Sequence, residues 1–488
     1  MPAAKPNILL VTTDQQRFDA SGGAGPSFLR TPHYDHLRRG GVTFTRAYSD
    51  CPLCVPARVS IMTGKQSFTH GQTGNGPTGP FISRDESLPS LLRAEGYATA
   101  AIGKMHFGPE RSRHGFDEMI LPADYYRQMD RAAHPWRPMR HGMGQNELYP
   151  AMATVPEALT LTSWTAEQCV EYIRERRDPN VPFFLWCSFS KPHPPLDPPE
   201  PYYSMYRGSP VPEPAVGEWR DSERCPEAVR RASEEWSADQ LPPEILREAR
   251  AAYYGLITQV DYNLGRVFAA LQDFDLFDET LVVYTSDHGE FLGDHRLAAK
   301  SFLHEGATHV PFVVRPPKSW GVTPGQVSEA LATHADVLPT LLAAAGGSKA
   351  PAGCDGLDLL SVLRGEAQPR RFLHGVAGRA DAPGGPISMG VTDGRWKYLY
   401  YPEGPAEQLF DLGSDPQELA DLAGRPEHAA RVAELREEIR RRHAEGRTGF
   451  APDGRLPDKK PRGDSTAERR AGVWPGYHTE HYGKDVRH

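Results

Sequence analysis

The sequence has few cysteines, no long apolar run and no excess of basic residues. Six cysteines among 488 residues are too few for a disulfide framework. No uninterrupted apolar stretch reaches the roughly 18 residues that a membrane-spanning helix needs. Acidic residues outnumber basic ones by 63 to 55, and the net charge of −8 argues against nucleic-acid binding. The first predicted strand begins at Asn7, which leaves no room for a secretory leader, so we expect a cytoplasmic protein without membrane or nucleic-acid partners.

Short apolar runs alternate with helical patterns, which is typical of an α/β fold with a mostly parallel sheet. With 39% hydrophobic residues, the chain can form one large domain and a smaller one. The predicted strands include residues 7–13, 97–102, 183–189 and 280–286. Polar residues follow these four strands closely: Asp14, Lys104, His106, His193, Asp287 and His288. Because ligands bind beyond the carboxyl ends of strands in open α/β sheets, we expect these side chains to meet at one edge.

The later part of the chain changes character. Apolar spacing predicts helices near residues 166–173 and 247–272. After them come three β-like runs, at 387–392, 396–401 and 408–412, whose spacing is typical of a meander. A helix is predicted next, at about 426–443. Residues 192–241 are rich in proline and acidic residues, and we predict a long loop over the site, either a lid or a passive surface segment. The predicted divisions are a main α/β domain (1–370), a C-terminal α+β unit (371–446) and an extended tail (447–488).

The most informative segment is Cys51-Pro-Leu-Cys54-Val-Pro-Ala-Arg58, with Thr63-Gly64 shortly after it. The two cysteines could form half of a zinc site or a redox pair. A structural zinc site takes four ligands, and the other four cysteines are isolated in sequence. A redox pair would be expected in a small thioredoxin-like βαβ unit, which this long chain does not present here. A third interpretation, that Cys54 is the reacting residue, depends on the resemblance that follows.

This segment resembles the signature of type I sulfatases in the alkaline phosphatase superfamily. Further landmarks occur in the family's order over residues 5–425: Asp14-Gln15, Gly103-Lys104-Met-His106, Pro192-His193, Ser286-Asp287-His288-Gly289-Glu290, Lys300 and Leu409-Phe-Asp-Leu412. The Asp-Gln and Asp-His pairs are similar to those of the choline sulfatase and phosphonate monoester hydrolase branch. The chain departs from the common pattern at Thr13, where many members have a further aspartate. It also carries His304 and His309 where tyrosine and arginine are usual, so these histidines receive no role.

The resemblance implies an alkaline-phosphatase-like central sheet flanked by helices, and a nucleophile made when the formylglycine-generating enzyme oxidises Cys54. It implies one divalent metal ion held by Asp14, Gln15, Asp287, His288 and the hydrated aldehyde of Cys54. Oxygen ligands with a single imidazole nitrogen favour Mn2+ first and Ca2+ or Mg2+ second.

The catalytic residues implied by the resemblance are Cys54, Arg58, Lys104, His106, His193 and Lys300. The three cations would neutralise the anion, His106 would help remove a proton from the second hydroxyl of the hydrate, and His193 would protonate the leaving oxygen. Asn75 either donates to an anion oxygen or is a turn residue before Gly76.

Three functions remain open at this point. The first is hydrolysis of a sulfate monoester, and the second is hydrolysis of a phosphonate monoester or phosphate diester at the same site. In the third, the chain is an inactive binding homologue in which Cys54 stays a thiol. We also expect a homo-oligomer, a dimer or a tetramer.

Overall fold

The computed structural model describes residues 5–79, 81–236, 240–347, 350–378, 388–445 and 455–459. The strands of the large sheet are β1 (Asn7–Asp14), β2 (Val42–Tyr48), β3 (Ala98–Gly103), β4 (Glu118–Ile120), β5 (Phe183–Pro192), β6 (Thr280–Ser286), β7 (Phe312–Arg315) and β8 (Gln326–Thr333). The second sheet contains β9 (Leu373–Ala377), β10 (Ser388–Thr392), β11 (Trp396–Tyr401) and β12 (Ala406–Asp411). The α-helices are α1 (Pro32–Gly40), α2 (Cys54–Thr63), α3 (Ser67–His70), α4 (Leu88–Ala94), α5 (Pro122–Arg131), α6 (Leu161–Glu171), α7 (Tyr202–Met205), α8 (Glu227–Trp236), α9 (Pro243–Asp273), α10 (Glu305–Thr308), α11 (Val337–Ala345), α12 (Leu359–Leu363) and α13 (Ala429–Glu445).

The large sheet is mainly parallel and has the order β4-β3-β5-β1-β6-β7-β2-β8. Strand β7 is antiparallel to both of its neighbours, whereas β1 is parallel to β5 and β6, and β3 is parallel to β5. The four strands predicted to carry functional residues are therefore adjacent, as β3-β5-β1-β6, and their carboxyl ends share one edge. The predicted fold class is confirmed.

Helices cover both faces of this sheet. Successive side chains of β1 point to opposite faces: Ile8 and Leu10 pack with α2, α4 and α11, whereas Leu9 and Val11 pack with α1, α6 and α9. Because the central strands are buried on both faces, their sequences are continuous apolar runs without polar alternation.

The C-terminal sheet is antiparallel, with the order β12-β11-β10-β9. Helix α13 packs on it through Val432, Leu435 and Ile439. The meander and the following helix are thus confirmed, and β9 is an additional strand that the sequence did not indicate. The predicted domain boundaries stay predictions, and most of the tail (447–488) lies outside the described residues.

The predicted long loop at 192–241 is wrong in part, because it contains α7 and α8. Helix α8 buries Ala228, Val229, Ser233 and Trp236 at helical spacing. The many prolines of the segment concealed this pattern. Among the described helices, none is both long enough and apolar enough to cross a membrane.

Candidate active site

The site lies where the carboxyl ends of four strands meet the first residue of α2. Asp14 is the last residue of β1, Lys104 follows β3, and Asp287 follows β6. His193 follows β5. Cys54 is the first residue of α2, whose ten residues are all buried, so the helix is fixed against the sheet. The structure therefore brings together residues that are far apart in sequence, as the strand pattern predicted.

Cys54 points into this cluster. Its Sγ lies 3.2 Å from Nε2 of His288 and 3.8 Å from Oδ1 of Asp14. Cys51, one turn earlier, is also buried, but burial and the nearby Asp50 raise its thiol pKa well above the usual value. The two cysteines therefore have different chemical environments.

Arg58 lies four residues after Cys54, one helical turn on, and so faces the same side of α2. Its guanidinium is fully buried and donates to Asp287 Oδ2 at 2.9 Å and to Ser188 Oγ at 2.9 Å. Lys104 Nζ lies 2.7 Å from Asp14 Oδ2. Two cations therefore lie beside the two carboxylates of the site. Ser188, on β5, is a supporting residue that sequence reasoning missed, because nothing in the apolar run of β5 distinguishes it.

Four buried side chains form a group with the chemistry of a metal site: Asp14, Cys54, Asp287 and His288. One potential ligand atom from each lies within 4.8 Å of all the others. His288 donates from Nδ1 to the carbonyl oxygen of Gly289 at 2.9 Å, which leaves Nε2 free as a ligand. Two carboxylates and one such imidazole fit a divalent cation.

The charges of the site and burial shift the pKa values of its two aspartates in opposite directions. Burial alone would raise the pKa of Asp14, but Lys104, His193, Arg58 and His288 hold it well below its usual range. Burial, together with Asp14, raises the pKa of Asp287. These directions keep Asp14 ionised.

The thiol of Cys54 is similarly affected by its neighbours. Burial and Asp14 would raise its pKa, but Lys300, Lys104 and His288 bring it well below the usual value. The site therefore favours an anion at the position of Cys54.

Gln15, a predicted metal ligand, is held between Lys300 and Glu290. Its side-chain oxygen accepts from Lys300 Nζ, and its side-chain nitrogen donates to Glu290. The backbone N–H of Gln15 donates to Asp287 Oδ1 at 3.0 Å, and its φ of 75° lies in the left-handed region, where residues other than glycine are uncommon. Glu290 is a further residue of the site to which the sequence assigned no role, although its place directly after Asp287-His288-Gly289 was a usable signal.

His193 and Lys300 are neighbours at the rim of the site. Lys300 donates to Nε2 of His193 at 3.1 Å, and the His193 Nδ1–H donates to the carbonyl oxygen of Pro194 at 2.7 Å. Burial, with Lys104 and Lys300, lowers the pKa of His193 well below its usual value. The free protein therefore holds His193 as a neutral imidazole whose outward nitrogen is a proton acceptor.

Lys191 lies near the end of β5 and is held by several hydrogen bonds. Its ammonium donates to Asp197 and to the carbonyl oxygens of Pro195 and His193. Asp197 in turn lies 3.1 Å from Nε2 of His141. Lys191 thus braces the segment that carries His193.

The remaining predicted residues lie near the site but make different contacts. His106, with φ of 57°, has an exposed side chain and lines a cavity beside Lys104 and His193. Asn75 accepts a hydrogen bond at 3.1 Å from the backbone N–H of Val55, so it caps the start of α2 next to Cys54.

His304 and His309 lie away from this cluster. His304 is fully buried, stacks on Trp219 with ring centroids 5.3 Å apart and contacts Gln408. His309 stacks on Phe18 and lies 2.7 Å from Glu305. Both histidines make packing contacts, and the structure gives neither a contact with Cys54 or its neighbours.

A cavity of about 690 Å3 adjoins the cluster. Lys104, His106 and His193 line it, together with residues of α5 and of the segment 138–162. Its volume is that of a site for a drug-sized ligand.

Comparison with protein families matches residues 6–348 to the family model described as sulfatase. Residues 293–445 match the model described as the C-terminal part of N-sulphoglucosamine sulphohydrolase. The first match covers well over half of the chain.

Comparison with individual proteins points to the same family. The chain is 32% identical to an arylsulfatase of Clostridium perfringens (strain 13 / Type A) over 474 residues, which cover 92% of this chain and 96% of the relative. It is 31% identical to a choline-sulfatase of Rhizobium meliloti (strain 1021), over 87% of this chain and 84% of the relative. Its fold is similar to the crystal structure of a phosphonate monoester hydrolase of Agrobacterium radiobacter, with a TM-score of 0.75, 26% identity and coverage of 90% and 96% of the two chains.

Proposed function

The chain belongs to the sulfatase family, and we propose that it hydrolyses a sulfate monoester with a formylglycine made from Cys54 and one divalent metal ion. It is a sulfuric ester hydrolase by family membership. The observation that carries the proposal is the position of Cys54, at the start of α2 and within 4.8 Å of the ligand atoms of Asp14, Asp287 and His288.

The residues of the site suit a divalent metal ion and a formylglycine at position 54. The metal ion would be held by Asp14, Asp287 and His288, together with Gln15. We expect Mn2+ first and Ca2+ or Mg2+ second. A bound ion would supply Lewis-acid activation. A hydrated formylglycine would supply two hydroxyls on one carbon, one to attack the ester and the other to release the anion by carbon–oxygen cleavage. The formylglycine-generating enzyme is the maturation partner that this mechanism requires.

The cations of the site bind the substrate anion. Arg58 and Lys104 lie beside the carboxylates of Asp287 and Asp14, so their charges are fixed before substrate arrives. Donors that are already in place need little reorganisation when charge develops in the transition state. Asn75 holds the first turn of α2 in place, and His106, which lines the adjoining cavity, would accept a proton from the second hydroxyl.

Lys300 and His193 act together at the leaving oxygen. Because the free protein holds His193 neutral, the proton of the ammonium of Lys300 is shared with Nε2 of His193 at 3.1 Å. In the proposed step the ammonium of Lys300 would transfer a proton to Nε2 of His193, the resulting Nε2–H would protonate the departing alkoxide, and Lys300 would regain its proton from water.

Hydrolysis of phosphonate monoesters or phosphate diesters is the second candidate. The similarity to the phosphonate monoester hydrolase of Agrobacterium radiobacter supports it. Sulfate monoesters and phosphonate monoesters both present a tetrahedral, singly negative group to the same cations.

A rate comparison separates the candidates. Protein co-expressed with the formylglycine-generating enzyme is assayed with 4-nitrophenyl sulfate and with the 4-nitrophenyl monoester of phenylphosphonate. We expect a higher kcat/KM for the sulfate. A higher value for the phosphonate would favour the second candidate, and no turnover of either ester by co-expressed protein whose Cys54 is still a thiol by mass spectrometry would support the inactive homologue.

A further inference from the structure

Glu290 is a buried carboxylate at the edge of the candidate metal site. It lies two residues after His288, but it is not one of the four side chains that form the candidate ligand group. Its backbone is held on both sides: the N–H donates to the carbonyl oxygen of Gly306 at 2.8 Å, and the carbonyl oxygen accepts from Arg17 at 2.9 Å. The side chain therefore extends from a fixed point of the backbone.

The carboxylate of Glu290 receives hydrogen bonds from two different groups. Its Oε1 accepts from the backbone N–H of Leu292 at 3.0 Å, and its Oε2 accepts from the side-chain nitrogen of Gln15. Burial raises the pKa of the carboxyl group, whereas the N–H of Leu292, Lys300 and Gln15 act to lower it. These neighbours favour the ionised form, which accepts hydrogen bonds and donates none.

The side-chain amide of Gln15 lies between a group that only accepts and a group that only donates. The carboxylate of Glu290 can receive only the amide nitrogen, and the ammonium of Lys300 can donate only to the amide oxygen. Lys300 also lowers the pKa of the Cys54 thiol, so it acts on the centre of the site. The oxygen of Gln15 is therefore turned toward the site, and its nitrogen is turned away.

The backbone of Gln15 leaves this side chain as the movable part of the residue. The backbone N–H donates to Asp287 Oδ1 at 3.0 Å, and the carbonyl oxygen accepts from the hydroxyl of Tyr253 at 2.6 Å. In the proposed reaction Lys300 gives up a proton, so its hydrogen bond to the amide oxygen changes during turnover. Glu290 takes no part in that proton transfer and can hold the amide throughout.

We propose that Glu290 is a positioning residue of the metal site, whose carboxylate fixes the side-chain oxygen of Gln15 toward the divalent ion. The proposal rests on the sulfatase function argued above, which requires the ion. A ligand that is oriented before the ion binds loses less conformational freedom on binding, so removal of its support should weaken metal affinity.

Two substitutions disturb this support in different ways. Glu290→Gln keeps the shape of the side chain but replaces one oxygen with an NH2 group. The backbone N–H of Leu292 cannot move away, so the NH2 group would face the side-chain nitrogen of Gln15 and displace it. Glu290→Asp keeps the negative charge but shortens the side chain by one carbon, which withdraws the acceptor from Gln15.

The first test is calorimetric titration of Mn2+, and separately of Ca2+ and Mg2+, into metal-free protein. We expect both variants of Glu290 to raise the Kd of the ion that wild type binds by about 10-fold or more. The control Glu86→Gln makes the same chemical change at an exposed residue before α4 and should keep the wild-type Kd. Partial loss of folded protein would lower the stoichiometry and leave the Kd unchanged.

The second test asks whether Glu290 acts through Gln15. The variant Gln15→Ala removes the amide and should itself weaken metal binding. In this background neither substitution of Glu290 should change the Kd by more than about 2-fold, because the group that Glu290 holds is absent. A direct attraction between the charge of Glu290 and the ion would instead weaken binding equally in both backgrounds for Glu290→Gln, and would spare Glu290→Asp.

The outcomes separate the inference from the function beneath it. A wild-type Kd in Glu290→Gln, or an equal loss of affinity with and without the amide of Gln15, would overturn the inference, and turnover of 4-nitrophenyl sulfate by wild type would leave the function intact. Metal binding with the expected dependence on Glu290, but without turnover of any sulfate ester by protein that carries the aldehyde, would support the inference and overturn the sulfatase function. The absence of binding of all three ions to wild type would overturn both.

Discussion

At the scale of single residues, position around the strand ends decides chemical role. Cys51 and Cys54 are both buried in the same short segment, yet the pKa of Cys51 is raised by burial and Asp50, whereas that of Cys54 is lowered by the cations of the site. The motif Cys-x-Pro-x-Arg identified Cys54 from sequence through its resemblance to the sulfatase signature, and the structure places Arg58 one helical turn after it. The contact of Glu290 with Gln15 could not be predicted, because the two residues are 275 positions apart in sequence.

The first prediction at this scale concerns His193. An alkoxide is a poorer leaving group than 4-nitrophenolate, so loss of a proton donor should matter most for alkyl esters. We expect His193→Ala to slow alkyl sulfates by ~10²-fold or more and 4-nitrophenyl sulfate much less. The measurement is a leaving-group series, with His36→Ala, an exposed histidine of α1, as control. Equal slowing across the series would mean that His193 binds the anion and does not donate the proton.

The second prediction concerns the metal ion. Asp287→Asn removes one negative charge from the buried group, so affinity for the ion should fall by about 10-fold to 100-fold or more. Elemental analysis and calorimetric titration of Mn2+ into metal-free protein measure this without an activity assay. Asp273→Asn, at an exposed ion pair with Arg174, should bind metal as wild type does. Undiminished occupancy in Asp287→Asn would remove Asp287 from the ligand set.

At the scale of elements, the sequence predicted what local periodicity encodes. The apolar runs of β1, β3, β5 and β6 and the stripe of α9 were clear, because buried parallel strands and long amphipathic helices have strong patterns. Strand β9 was missed, and so was the parallel pairing of β2 with β8, which joins residues 42–48 to residues 326–333. Such pairings depend on tertiary contacts that a local pattern does not contain.

One contact between elements predicts a pH dependence of stability. Asp261 on α9 accepts the backbone N–H groups of His33 at 3.0 Å and Tyr34 at 2.7 Å, at the start of α1. Burial, with a contribution from Asp35, raises its pKa from 3.8 to about 7. The pKa of Asp261 is higher in the folded state than in the unfolded state. Its contribution to the free energy of unfolding is therefore complete below pH 3.8 and is lost as pH rises through 7.

Asp261→Asn removes this titration. The free energy of unfolding of the variant minus that of wild type should therefore increase by about 2 kcal/mol between pH 5 and pH 8. Urea unfolding of both proteins at the two pH values measures the difference. The same difference at both pH values would show that Asp261 does not titrate in this range.

At the scale of the whole molecule, an ion cluster joins β11 of the C-terminal sheet to α10, which precedes β7. Lys397 on β11 lies 2.6 Å from Glu305 of α10 and 3.0 Å from Glu418, which follows β12. Lys397 and Glu418 are almost completely buried. The two family matches overlap over residues 293–348. The homo-oligomer stays a prediction.

Lys397→Met should destabilise the protein. The change leaves the buried carboxylate of Glu418 and the partly buried carboxylate of Glu305 without this lysine, which costs about 3 kcal/mol or more of unfolding free energy. The control Arg371→Met breaks an exposed ion pair with Glu434 and should cost less than about 1 kcal/mol. Urea denaturation of the wild type and both variants measures these losses of unfolding free energy. Equal stabilities of the two variants would contradict the role given to the cluster.

The central claim is that Cys54 is the precursor of the nucleophile, and peptide mass spectrometry tests it most directly. Trypsin cleaves after Arg46 and after Arg58, so both cysteines fall in one peptide and fragmentation can assign each of them. In protein matured with the formylglycine-generating enzyme, we expect the aldehyde at Cys54, an unmodified thiol at Cys51, and sulfatase activity proportional to the converted fraction. Full activity in protein whose Cys54 is still a thiol, or an aldehyde at Cys51, would contradict the account.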